Sequence, residues 1–199
     1  IRVRMTQRRF KDWDAQYLDT YSGTAQRSSQ RVLPSEAACR GWVIATLDIR
    51  KAFLKGITYK ELAKESGEPE REVCMELEPW VAEILRTFPG FEDSNPHTEV
   101  LVNIRPGTGC KDAPRCWTMR LSRVVNDRWG AVACTHDDQL HFRHQGANLA
   151  LDFLATVHVD DIKTASEMSV HREFVDMLEA ESGKDEIEMT ILDGTTTSL

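Results

Sequence analysis

The sequence predicts an α+β fold, with a central antiparallel sheet covered by helices on one face. Three features lead there. Strand-like and helix-like stretches follow one another without the strict alternation of a parallel α/β chain. The run Trp42-Val43-Ile44-Ala45-Thr46-Leu47-Asp48 is β-branched and apolar and ends in a carboxylate, as a buried strand does when it delivers an acid to its tip. Residues 149–159 and 162–165 are β-like and flank Asp160-Asp161, which reads as a hairpin with two acids at its turn. With 199 residues, 41% of them hydrophobic and 29% charged, the chain suits one soluble domain with a single core.

Residues 1–10 alternate apolar and basic side chains as a strand with one wet face, and a polar loop with Gly23 follows. Pro34, Ser35 and Glu36 open a two-turn helix through Arg40, since proline in a first turn gives up no needed N–H and glutamate suits a helix N-terminus. The strand over 42–48 comes next. Residues 60–70 are polar, with Gly67 and Pro69; residues 71–77 alternate like a strand; Pro79 and Trp80 start a helix toward Phe88 that Pro89-Gly90 breaks. Another strand over 99–105 leads into the flexible turn Pro106-Gly107-Thr108-Gly109. A long helix over 113–129 then carries Trp117, Leu121, Val124, Val125 and Trp129 at helical spacing. Short strands over 131–135 and 139–144 precede the acidic hairpin. Beyond it, a helix over 169–181 with Val170, Phe174, Val175, Met177 and Leu178 on one side stops at Gly183, before a last strand over 186–192. Residues 195–199 read as a frayed or cut end.

No stretch reaches the roughly 18 consecutive apolar residues of a membrane span, and residues 1–10 lack the apolar centre of a secretory signal, so no membrane partner and an intracellular address, cytoplasmic or nuclear, are expected. Five cysteines, odd in number and without a CxxC pair, read as reduced and mostly buried thiols. The net charge of -7 hides an asymmetry: residues 1–55 hold eleven Lys/Arg against five Asp/Glu, and the remainder is acidic. A basic N-terminal part suits phosphate contacts, which dominate nucleic-acid affinity.

If the strand over 42–48 pairs beside the hairpin, Asp48, Asp160 and Asp161 converge. Such carboxylates repel unless cations intervene, and hard oxygen ligands suit Mg²⁺. Two ions there would serve in-line phosphoryl displacement, in a polymerase or in a nuclease alike. Asp137, Asp138, His141 and His144 offer a different reading as a zinc-binding module, although residues three apart on a strand point to opposite faces.

Several blocks resemble the reverse transcriptases of copia-type retrotransposons, in the same order and over nearly the whole chain. Thr46-Leu47-Asp48-Ile49-Arg50-Lys51-Ala52-Phe53-Leu54-Lys55-Gly56 resembles the family's first catalytic block. Gly109-Cys110-Lys111-Asp112-Ala113-Pro114-Arg115-Cys116-Trp117 is similar to its Gly-Leu-Lys-Gln-Ala-Pro-Arg-x-Trp block, the template-clamping turn and helix. Val157-His158-Val159-Asp160-Asp161-Ile162 is similar to its Tyr-Val-Asp-Asp hairpin. Looser similarities are Arg2-Val3-Arg4-Met5 to a fingers segment and Asp19-Thr20-Tyr21-Ser22 to Glu-Thr-Phe-Ser.

The resemblance implies a right-hand polymerase: residues 1–41 mainly fingers, 42–58 palm, 59–111 a fingers insertion and 112–199 palm, in one domain cut short before a thumb. It implies RNA-directed DNA synthesis from an RNA template, a DNA primer and dNTPs, within a polyprotein whose integrase and RNase H lie elsewhere, in virus-like particles. Asp48 and Asp160 would hold two Mg²⁺ ions, with Mn²⁺ a possible substitute, and Asp161 would assist. Phe53 would exclude the 2′-hydroxyl of a ribonucleotide, Arg4 would contact the triphosphate and Gly109 would allow close backbone approach. Lys111, Pro114 and Arg115 belong to the substrate-binding block, and Lys184 would protonate departing pyrophosphate. Three positions depart from the family: His158 replaces Tyr, Thr108 replaces Tyr and Asp112 replaces Gln. Asp112 is expected to add repulsive charge beside phosphates unless Lys111 or Arg115 offsets it. The same acids would also fit a two-metal nuclease or an inactive relic of the polymerase.

Overall fold

The computed structural model describes residue 14, residues 17–184 and residues 186–192. The strand expected over residues 1–10, Arg4 within it and residues 195–199 lie outside them.

Strands β1 (Val43–Ile49), β4 (Val132–Cys134), β5 (Asp137–Gln145), β6 (Ala150–His158), β7 (Asp161–Ser166) and β8 (Ile187–Leu192) form one sheet in the order β4-β5-β6-β7-β1-β8, with every pairing antiparallel. Strands β2 (Cys74–Glu76) and β3 (Val100–Val102) make a separate two-stranded ribbon. Five α-helices occur among the described residues: α1 (Arg27–Arg40), α2 (Tyr59–Ser66), α3 (Pro79–Leu85), α4 (Ala113–Arg123) and α5 (Met168–Ser182).

Alternation along each strand divides the apolar residues between two faces. Leu47, Ile49, Phe153, Ala155, Val157 and Ile162 are buried against Trp117 and Leu121 of α4 and Phe174 and Leu178 of α5. Their neighbours Leu154 and Ala165 turn the other way and are covered by Leu33 and Ala37 of α1. The expectation of helices on one face is thereby corrected. The sheet carries an apolar stripe on its second face as well, and α1 is what removes that stripe from water.

Helix α1 is also longer than expected, and Pro34 sits inside it rather than opening it. Its start is set from a distance. The Gln26 side chain makes no cap bond, and the Asp137 carboxylate of β5 accepts from the Gln26 amide at 2.8 Å instead. Burial alone would push the Asp137 carboxyl up, but hydrogen bonds from Ser29 and from the Gln26 and Gln139 amides outweigh it and hold the group below the usual carboxylate range. Helix α2 stands where only a polar stretch was expected. Thr58 and Glu61 form a capping box at its start, and Gly67 in the left-handed region, φ +72°, ends it.

All five cysteines are free, but only Cys116 is buried, and burial pushes its thiol up to about 12. Cys39 and Cys74 are exposed, which corrects the expectation of mostly buried thiols: one lies near the end of α1 and the other on the open face of the β2–β3 ribbon.

After β1 the chain makes a 3₁₀ turn (Ala52–Lys55) and then passes α4 at Gly56. A Cβ there would lie 3.0 Å from the backbone of Cys116 and of Trp117, so any side chain would force the helix backbone to give way, which glycine avoids. Gly56→Ala is expected to cost about 1–3 kcal/mol through overpacking, read from urea unfolding.

On α5, His171 is buried between two strands: Nε2 donates to the Val43 carbonyl at 3.0 Å, which leaves Nδ1 to accept from the Thr164 hydroxyl at 3.1 Å. Burial lowers the affinity of both His171 and His141 for a proton below the ordinary imidazole value of 6.5. Below that pH the unfolded chain takes up protons that the folded chain refuses, so stability falls as pH drops. Unfolding free energies measured on either side of 6.5 are expected to show this slope, and His171→Gln to flatten it.

Candidate active site

Residue register brings the sequence-predicted acids together. Asp48, next to last in β1, lies directly opposite Asp161, the first residue of β7. Across β1 on its other side, Asp48 opposes Glu188 of β8, and across β7, Asp161 opposes His158 of β6. Directly opposed residues share a face with Cβ atoms about 5 Å apart, so Glu188, Asp48, Asp161 and His158 form a row across four adjacent strands. Asp48 and Asp161 are exposed, and Asp160 is half-buried in the two-residue turn between β6 and β7.

Polarity grades along this face. One register step back from the acids stand Thr190, Thr46, Lys163 and Thr156. Two further residues along each strand come Leu192, Ile44, Ala165 and Leu154, beneath α1. Helix α1 therefore covers the apolar end of the face and leaves the acidic end open.

The hairpin turn is strained. Val159 has φ +58°, while Asp160 is not among the positive-φ residues, a sign pattern of a type II′ turn whose first central position normally belongs to glycine. A β-branched residue there costs on the order of 1–3 kcal/mol and persists only when its surroundings impose it. One constraint is visible: Trp117 of α4 donates its indole N–H to the Val159 carbonyl at 2.9 Å. Since Gly56 abuts the backbone of Cys116 and Trp117, the three sequence blocks meet at the first turns of α4.

Phe53 is half-buried in the 3₁₀ turn and packs against the main core. Gly109 has φ +100°, a backbone conformation that side chains disfavour. Pro114 occupies the first turn of α4, and Lys111 is half-buried just before it. Arg115 lies 3.4 Å from the exposed carboxylate of Asp19. Lys184 is exposed in the turn that leads into β8; that turn is tied to the end of β1 by Arg50 N–H to the Glu186 carbonyl at 2.9 Å and by Lys51 and Lys55 to the Glu186 carboxylate at 3.2 and 3.4 Å.

Asp112 is buried and not surface-facing. Its side chain is 2% exposed and pairs with Arg71, so the expected repulsion is cancelled inside the protein. The zinc reading also dissolves: His141 is buried with Nδ1 3.2 Å from the Asn126 side chain, His144 is exposed, and Asp137 is engaged at α1. Glu188 was missed as a neighbour of Asp48, because a strand's partner cannot be read from its own alternation.

Among the described residues, no group of three or more His, Cys, Asp or Glu is drawn together tightly enough to hold a metal ion by itself. Asp48 and Asp161, opposed, with Asp160 in the adjoining turn, nonetheless offer the hard donors Mg²⁺ takes, since that ion is commonly held by one or two carboxylates with substrate phosphates completing its shell. Among those residues no helix is long and apolar enough to cross a membrane. Comparison with known proteins finds no matching family model, no matching curated protein and no matching solved structure.

Like charges directly opposite each other destabilise a sheet, and Asp48 has an acid on each side. Asp48→Asn is expected to raise metal-free stability by up to about 1 kcal/mol and to abolish an Mg²⁺-dependent rise in Tm. A native chain whose Tm ignores Mg²⁺ would speak against a shared cation.

Proposed function

We propose that this chain is the fingers and palm of an RNA-directed DNA polymerase of the copia retrotransposon type, adding deoxynucleotides to a DNA primer on an RNA template. The observation that carries the reading is the register of Asp48 opposite Asp161 with Asp160 in the adjoining turn, on a sheet face whose acidic end is open. The block similarities named above point the same way, and their residues gather around the start of α4.

Asp48 and Asp160 hold Mg²⁺ in this reading, with Asp161 assisting. When bound, two such ions activate the primer 3′-hydroxyl and stabilise the leaving pyrophosphate. The chain's own contribution is position and charge. The strained turn fixes Asp160 beside Asp161, and the Trp117 bond to Val159 holds that turn against α4. Phe53, half-buried in the turn after Asp48's strand, would bar a ribose 2′-hydroxyl. Arg115, 19% exposed and paired with the exposed Asp19 carboxylate, can exchange Asp19 for a phosphate, where a guanidinium makes stronger charge-assisted bonds. Lys184, two residues before Glu186, whose contacts reach the end of β1, donates a proton to departing pyrophosphate.

The test is extension of a labelled DNA primer annealed to RNA, with Mg²⁺ and dNTPs. The native chain is expected to lengthen the primer, Asp160→Asn to fall to background, and Phe53→Ala to begin accepting ribonucleotides. Cleavage of nucleic acid without extension would favour a nuclease, and equal extension by native and Asp160→Asn protein would remove the site assignment.

A further inference from the structure

Arg71 and Asp112 form a buried ion pair, their side chains 11% and 2% exposed, joining the loop between α2 and β2 to the residue that opens α4. The Arg71 guanidinium also lies 5.7 Å from the Tyr59 ring. The second oxygen of Asp112, Oδ1, is buried without a hydrogen-bond partner. A buried carboxylate so dependent on one cation takes another if that cation is lost, because an uncompensated charge in the interior is costly. The nearest replacement along the helix is Arg115, three residues on and therefore on the same side of α4.

We propose that Arg71 is a positioning residue: by neutralising Asp112 from within, it leaves Arg115, 19% exposed and paired with Asp19 and not with Asp112, able to bind a phosphate of the nucleic-acid strand. This rests on the polymerase reading, deepens it at the template-side block, and gives Asp112 a physical role at a position where the resembling family often has Gln. Without Arg71, the Asp112 carboxylate draws Arg115 inward and one phosphate contact disappears.

The experiment measures binding of an RNA–DNA template–primer duplex by fluorescence anisotropy across a salt series, beside steady-state extension by the same proteins. Each phosphate contact contributes about 0.9 to the slope of log affinity against log salt. Arg71→Met is expected to lower the slope by about one contact and to raise the KM for template–primer about tenfold, with kcat within about twofold, the pattern of lost uniform binding. The variant Arg71→Met with Asp112→Asn removes both charges, and is expected to restore slope and KM, because a neutral amide has no call on Arg115. It also serves if Arg71→Met alone fails to fold. An unchanged slope in Arg71→Met, or a double variant that folds but binds like Arg115→Ala, overturns the proposal. Native protein that binds the duplex with the expected slopes yet never extends a primer overturns the polymerase reading and leaves the Arg71 assignment standing. Extension with no slope change in Arg71→Met does the reverse.

Discussion

The register of β1 against β7 is fixed by burial, not by the acids it aligns. Leu47 and Ile49 alternate with Asp48, and Ile162 with Asp161, so sliding one strand by a single residue would send those apolar side chains into water and the carboxylates into the core. Several buried side chains therefore impose a like-charge contact that no isolated hairpin would choose. The unfavourable row at the strand ends is carried by the favourable layer beneath it. That arrangement is characteristic of a site shaped for something other than stability.

A second consequence concerns the two faces of the sheet. One face is covered by α4 and α5, with Trp129, Phe153 and Phe174 clustered in that core, Trp129 edge-on to Phe153 and the other two pairs tilted, their ring centroids 4.8 to 5.6 Å apart. Among the described residues, α1 covers one end of the other face, and its N-terminus is anchored by Asp137. The position of a single helix thus decides how much of the polar end of the sheet meets solvent, and a carboxylate far from the acidic row decides the position of that helix.

Charge distribution follows the same logic. Cations around the acidic row are largely engaged: Arg50 with Glu188, Lys51 and Lys55 with Glu186, Arg115 with Asp19. The Arg50–Glu188 pair is exposed on both sides and worth little to stability, so a polyanion can compete for Arg50; the other three each have a partly buried partner. The buried pair of Arg71 and Asp112 is different in kind: Arg71 also lies 3.9 Å from the Asp14 carboxylate, whereas Asp112 would be left as an uncompensated buried charge without Arg71.

Local chemistry was enough to place most elements. A β-branched, apolar run marked β1, β-like runs on either side of Asp160-Asp161 marked β6 and β7, helical spacing marked α4 and α5, and the acids at strand ends followed from those. Helix α2 was legible too, in the Thr58 and Glu61 spacing of a capping box, but its polar surface masked it. What the residues could not reveal alone were the partners supplied by distant segments: Asp137 as the cap of α1, Glu188 beside Asp48, Arg71 beneath Asp112, and α4 pressing on Gly56. Periodicity records whether a side chain faces water or protein. Which protein atoms it meets depends on how strands order themselves in the sheet, and only the folded chain settles that.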